Sequence, residues 1–147
     1  MFNWLGQDLS AWQTLDLYAG TGALSLEALS RGARLAVAVD RNATLVRALA
    51  ASARTFGLDG LEAHVADAES FVAAERRRFD IVFLDPPFDS DPWKWLLRQA
   101  AARARDGGFV YAEARKKLEA SASLSLWRHA KAGQVHYHLM RVQRAEP

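Results

Sequence analysis

Short apolar runs that end in a carboxylate recur along this chain, and most are followed by a segment with helical spacing. Thr14 to Ala19 reads as a first strand, with Gly20-Thr21-Gly22 as the turn after it. Leu35 to Val39 is a second, ending at Asp40; Glu62 to Ala66 is a third, ending at Asp67; Phe79 to Leu84 is a fourth, ending at Asp85. Phe2 to Leu9 reads as the end of a helix, with Phe2, Leu5 and Leu9 at helical spacing. Further helices are expected over Ala23 to Ser30, Ala43 to Phe56 and about Glu69 to Glu75, with Gly32 and Gly57 suited to helix ends. Asp91-Pro92 reads as the N-cap and first-turn proline of a helix running through Trp93, Leu96, Leu97 and Ala100. Asp106-Gly107-Gly108 then turns into a fifth strand, Phe109 to Glu113. Ser125 to Lys131 and Val135 to Arg144 pair as an antiparallel hairpin around Ala132-Gly133. Strands and helices that alternate over short connections predict an α/β fold. Its sheet is mostly parallel, with helices on both faces and the hairpin at the C-terminal end.

A length of 147 residues suits one domain, spanning 1–147. The absence of cysteine excludes disulfides and thiolate metal sites. No stretch reaches the ~18 apolar residues of a membrane span. Met1 to Ser10 lacks the basic start and apolar centre of a signal peptide, so a cytoplasmic protein is the default. A net charge of +2 permits nucleic-acid binding without demonstrating it. The basic runs Arg76-Arg77-Arg78 and Arg115-Lys116-Lys117 read as solvated surface, and Trp93, Trp95 and Trp127 as packing residues. His136 and His138 lie two apart on one face of an expected edge strand. With no third ligand in view, they read as solvated surface and no metal site is expected.

The densest chemical signal is Asp85-Pro86-Pro87-Phe88, directly after Ile81-Val82-Phe83-Leu84. Neither proline offers an N–H to a sheet ladder, so the strand stops abruptly. A carboxylate, an unpaired carbonyl and an aromatic ring are left at its carboxyl end, the edge where open α/β sheets bind ligands. An exocyclic amine on guanine or adenine is a poor nucleophile, because its lone pair is delocalised into the ring. Acceptors for its two N–H bonds turn that lone pair outward. The Asp85 carboxylate and the Pro86 carbonyl suit this, and Phe88 can stack on the base.

The first three strands supply a second set. A Gly-x-Gly turn between strand and helix lets the backbone approach a ligand closely. The dinucleotide fingerprint wants glycine or alanine three positions after Gly22, where this chain has Ser25. What remains is Asp16, the turn, Asp40 placed to accept from ribose hydroxyls, and Asp67 near an adenine position; Asp40 and Asp67 also read as N-caps. Strand-end acids with a glycine turn suit a nucleoside cofactor without phosphates, and S-adenosylmethionine fits that description better than NAD.

The run from Asp16-Leu17-Tyr18-Ala19-Gly20-Thr21-Gly22 through Arg31-Gly32-Ala33 resembles the first motif of the bacterial 16S ribosomal RNA guanine-N2 methyltransferases (RsmD-like). Asp85-Pro86-Pro87-Phe88 is similar to their catalytic motif, Gly133-Gln134-Val135-x-Tyr137-x-Leu139 to their final strand, and Phe2-Asn3-Trp4-Leu5 to the helix before their first strand. The resemblance implies a Rossmann-like class I methyltransferase that uses S-adenosylmethionine. Its cofactor residues would be Asp16, Tyr18, Gly20, Gly22, Asp40, Arg41, Asp67 and Ala68, with Asp85, Pro86 and Phe88 serving the target guanine. It also implies 16S rRNA or small-subunit particles as partners, and a monomer. Family members usually carry an arginine-rich N-terminal segment before the Phe-Asn-x-Leu helix, which this sequence does not include, and often a glutamate where Ala38 stands. Competing readings are an adenine-N6 methyltransferase, a truncated cofactor- or RNA-binding module with little turnover, and a nucleotide-dependent oxidoreductase. The first normally needs a target-recognition region for base flipping, for which 147 residues leave no room. Ser25 speaks against the last.

Overall fold

A computed structural model describes residues 2–87 and 93–144. Its strands are β1 (Gln13–Asp16), β2 (Leu35–Asp40), β3 (Leu61–Val65), β4 (Phe79–Leu84), β5 (Ala104–Ala114), β6 (Leu124–Ala132) and β7 (Val135–Val142). Its helices are α1 (Phe2–Leu5), α2 (Ala23–Ser30), α3 (Ala43–Thr55), α4 (Ala68–Ala74) and α5 (Trp93–Arg103). The seven strands form one sheet in the order β3-β2-β1-β4-β5-β7-β6. The first five are parallel, and β7 runs antiparallel to both β5 and β6. Among the described residues, no helix is long and apolar enough to cross a membrane.

Successive side chains of a strand point to opposite faces, and here both faces are covered. Leu15, Val37, Val39, Val82 and Val110 pack with Val72 of α4 and with Trp93, Leu96 and Leu97 of α5. On the other face, Ala36 meets Ala28 and Leu29 of α2, Ile81 and Phe83 meet Phe2 and Leu5 of α1, and Ala38 meets Leu49 of α3. The near-continuous apolar character of β2 and β4 follows from this double burial. From β1 the chain builds outward through β2 to β3, then returns to place β4 on the other side of β1. The crevice opened by that reversal, at the carboxyl ends of β1 and β4, is where such sheets take ligands.

Four elements depart from the expectation. The first helix stops at Leu5, since Gly6 takes φ +89°, and Leu9 is buried from a non-helical segment. β1 ends at Asp16 rather than Ala19, whose N–H reaches across to Val39. β5 begins at Ala104, and Asp106-Gly107-Gly108 forms an irregularity inside the strand, between the pairs Phe79–Ala104 and Ile81–Phe109. A Cβ on Gly108 would stand 2.8 Å from the Asp80 carbonyl oxygen, so the bulge needs glycine there. Finally, β7 is an interior strand and β6 the edge. The Asp91-Pro92 helix start lies outside the described residues.

His138 corrects the expectation of a solvated histidine pair. It is fully buried, while His136 stacks on His129 at the surface side of the hairpin. The Leu118 N–H donates to His138 Nε2 at 2.9 Å, so Nδ1 carries the proton and donates to the Ala112 carbonyl at 3.0 Å. Burial holds its pKa below the ordinary value, as this neutral bridge requires. His138→Ala leaves the buried Leu118 N–H unpaired and should cost about 2 kcal/mol of stability. Urea unfolding checks this; an unchanged midpoint would exclude the bridge as a stabilising feature. Trp93 is buried and Trp95 partly so, as packing residues are. Trp127 is half exposed, with the Arg141 and Arg128 guanidinium groups 4.8 and 5.3 Å from its ring.

Candidate active site

A cavity of about 760 Å³ opens at the carboxyl ends of the parallel strands. Asp16, Tyr18, Gly20, Asp40, Arg41, Asp67 and Ala68 line it, and Asp85 and Pro87 close one side. Gly22 is not part of the wall. It caps α2 in the left-handed region at φ +83°, and a Cβ there would fall 2.0 Å from Leu49 Cδ1. Its role is to let α2 start tightly against α3. Phe88 lies outside the described residues.

Asp16, Asp40 and Asp67 are each held by backbone N–H groups. Asp40 Oδ2 accepts from the Gly20 N–H at 2.9 Å and Oδ1 from the Asn42 N–H at 2.8 Å. It therefore ties the glycine turn to the end of β2 and does not cap α3. Asn42 does that, accepting from the Thr44 and Leu45 N–H groups. Asp67 does cap α4, accepting from the Ser70 N–H at 3.2 Å. Tyr18 is pushed up to about 12, first by burial and then by Glu69 and Asp67.

Asp16 is 1% exposed and accepts from the Tyr18 N–H at 3.2 Å. Burial pushes its carboxyl up to about 7, opposed by the Tyr18 bond and assisted by Asp85, Asp40 and Glu113. Asp85 is raised to about 6, first by desolvation and then by Glu113, whose carboxyl is within hydrogen-bonding reach. Such values let a carboxyl exchange a proton near neutral pH, a common property of working sites.

Asp85 also lines a second cavity of about 230 Å³, with Pro86, Glu113, Arg115 and Val135. It thus stands as a partition between two spaces. A third cavity, about 400 Å³, lies beyond Glu113 and is walled by Phe2, Trp4, Tyr111 and Tyr137. Motif and spacing do not single out Glu113, Arg115, Trp4 or Tyr137 as site residues. Glu113 nonetheless carries the signal that marks Asp40, Asp67 and Asp85, an acid at the carboxyl end of an apolar strand. Arg115 and its basic neighbours are exposed, at the margin of the second cavity. Arg77, in the other basic run, is held by Glu75 and Glu62. Among the described residues, no cluster of three or more histidines or acids is arranged to hold a metal.

The family model described as conserved hypothetical protein 95 matches residues 1–141. Ribosomal RNA small subunit methyltransferase D of Escherichia coli (strain K12) is 34% identical over 148 residues, covering 95% of this chain and 73% of its own. The chain belongs to the methyltransferase D family. The solved structure of Escherichia coli yhhF superposes with a TM-score of 0.90 at 32% identity, over 98% of this chain and 82% of that one. A conserved hypothetical protein of Streptococcus pyogenes gives 0.86 at 27% identity, over 97% and 92%. The Rossmann-like methyltransferase fold implied by the resemblance is therefore that of the methyltransferase D family. Its C-terminal hairpin has β7 inside.

Proposed function

We propose that this chain transfers a methyl group from S-adenosylmethionine to the exocyclic N2 amine of a guanine in 16S ribosomal RNA, acting as a monomer on the RNA or a small-subunit particle. The observation that carries this reading is the position of Asp85, shared by a cofactor-sized cavity and by a second cavity next to it. A methyl donor on one side and an amine on the other would meet at this residue.

The larger cavity suits a nucleoside cofactor without phosphates. Asp16, Asp40, Asp67, Glu69 and Asp85 line it, against Arg41 as the one cation among its described lining residues. That surplus of carboxylates would repel a pyrophosphate and attract a sulfonium. Asp40 would accept from ribose hydroxyls with the lone pairs left by its two backbone bonds. Asp67 and Ala68 would flank the adenine, and the Gly20 turn the amino-acid end. When bound, S-adenosylmethionine supplies an electrophilic methyl on sulfur, which departs as a neutral thioether.

The chain's own contribution is positioning and charge. Asp85 and the Pro86 carbonyl accept the two amine N–H bonds, which directs the nitrogen lone pair at the methyl. An amine that has gained the methyl would be cationic, and its surplus proton would pass to the Asp85 carboxylate. A carboxyl with pKa about 6 takes that proton readily and returns it to solvent near neutral pH.

The direct test is methyl transfer from labelled S-adenosylmethionine to small subunits from a strain lacking this gene, with nucleoside analysis of the product. N2-methylguanine supports the reading; N6-methyladenine would overturn the base assignment while keeping the chemistry. On the cofactor side, Asp40→Ala should weaken S-adenosylmethionine binding by about 1.5–3 kcal/mol, the typical loss for hydrogen bonds to a charged acceptor. Calorimetry with unchanged affinity would remove Asp40 from the site.

A further inference from the structure

Adenine-N6 and guanine-N2 methylation ask the same thing of Asp85 and Pro86: two acceptors for one amine. Something else must tell the two bases apart. The β4–β5 register pairs Leu84 with Ala112, so the next residues, Asp85 and Glu113, emerge side by side at the carboxyl edge. Their carboxyls are within hydrogen-bonding reach. Glu113 is also fixed from behind, since Tyr111 Oη donates to its Oε1 at 2.6 Å. It is the wall common to the second cavity, which holds Asp85 and Pro86, and the aromatic cavity of Phe2, Trp4, Tyr111 and Tyr137. A base whose amine lies at Asp85 therefore presents its neighbouring ring atom to Glu113, with aromatic walls close by.

We propose that Glu113 accepts the N1–H of the target guanine while Asp85 and Pro86 hold its N2 amine, and that this second carboxylate is what selects guanine over adenine. The inference rests on the reading of the site as a nucleobase-amine methyltransferase. Along its pairing edge guanine offers N1–H and N2–H donors in succession, and two adjacent carboxylates accept both. Adenine offers an amine beside N1, which carries a lone pair instead of a hydrogen. Its amine could reach Asp85, but N1 would then face the Glu113 carboxylate with no donor between them. A site built around a hydrogen bond rejects an analogue lacking it far more strongly than an apolar pocket could. The groups facing this pair are Asp16 from β1, Tyr111 on β5, Arg115 just beyond β5, and Tyr137 from β7.

The test uses 2-aminopurine, which keeps the N2 amine of guanine but has a lone pair at N1. Once nucleoside mapping has located the guanine methylated by the wild-type protein, that position is replaced by 2-aminopurine through splinted ligation. Values of kcat/KM are then measured on both RNAs for wild type and Glu113→Gln, whose amide can donate to N1. Comparing the two ratios cancels the intrinsic reactivity of the two amines. Wild type should prefer guanine by at least ~1,000-fold, and Glu113→Gln should narrow that preference by at least ~30-fold. Calorimetry with S-adenosylmethionine confirms that the variant is folded. Should Glu113→Gln fail that check, Tyr111→Phe, which frees the carboxylate without removing it, should narrow the preference by about tenfold. An unchanged ratio in the folded variant overturns the proposal, as does a wild type indifferent to the two bases. Absence of any transfer to guanine by the wild type overturns the underlying reading and this inference with it.

Discussion

Asp85→Ala should lower kcat by at least ~100-fold while leaving S-adenosylmethionine affinity within about twofold, as expected for one preorganised partner acting on developing charge. Asp85 lies at the end of the larger cavity, where the two spaces meet. Its loss would therefore fall on the reacting amine and spare the ribose and adenine contacts. Its pKa of about 6 adds a signature. The carboxylate is the form that accepts the amine N–H and its proton, so kcat should fall as pH drops below about 6. Asp85→Asn keeps one acceptor but cannot take up a proton, so it should retain little turnover and lose that acid limb. Single-turnover transfer across pH 5–8 checks both, and near-full turnover in either variant would remove Asp85 from the mechanism.

Asp16→Asn should change the pH dependence of stability by about 4 kcal/mol. The buried Asp16 carboxyl titrates near 7 in the folded protein, against 3.8 for the unfolded reference. Between those values the folded state binds more protons than the unfolded one, so stability falls as pH rises from about 4 to about 7, then levels. At ~1.4 kcal/mol per pKa unit, a shift of roughly three units corresponds to ~4 kcal/mol. Glu62 and Glu75, which Arg77 holds below the usual carboxylate range, push in the opposite direction at lower pH. The informative quantity is therefore the variant minus wild type. Relative to wild type, Asp16→Asn should gain stability steadily from pH 4 to 7, as read by urea unfolding. A constant difference across that window would mean that Asp16 is ionised throughout.

Much of the candidate site is legible in the sequence, because each parallel strand ends where its apolar run meets an acid. Asp16, Asp40, Asp67 and Asp85 converge on one cavity for that reason. Glu113 obeys the same rule, but neither a glycine or proline turn, as after β1 and β4, nor a helix, as after β2 and β3, follows it, so it looks like the end of an ordinary strand. The function of Gly22 is hidden differently. The residue is required by Leu49 on another helix, and spacing along the chain cannot reveal a neighbour in space. Nor does a hairpin's sequence settle which of its strands docks inward. The contrast lies in β7, where His138, Leu139 and Met140 are all buried, whereas β6 is largely exposed after Leu124. A histidine within that apolar run suggests exposure by its polarity, yet its two ring nitrogens fit it to join two buried backbone groups.

Placing β7 between β5 and β6 has a consequence for synthesis. The outer ladder of β5, Phe109 to Ala114, is closed by residues 136–141, and Glu113 pairs with Tyr137. A nascent chain emerging from the translation tunnel can bring β1, β2, β3 and β4 together, and with them most of the larger cavity's wall, well before β7 appears. Until it does, Val110, Tyr111 and Ala112 form an open, apolar strand edge, the kind of surface that invites pairing with another chain. The side of the site around Glu113 is therefore finished last, and the interval before β7 docks is when this polypeptide is most exposed to misassembly.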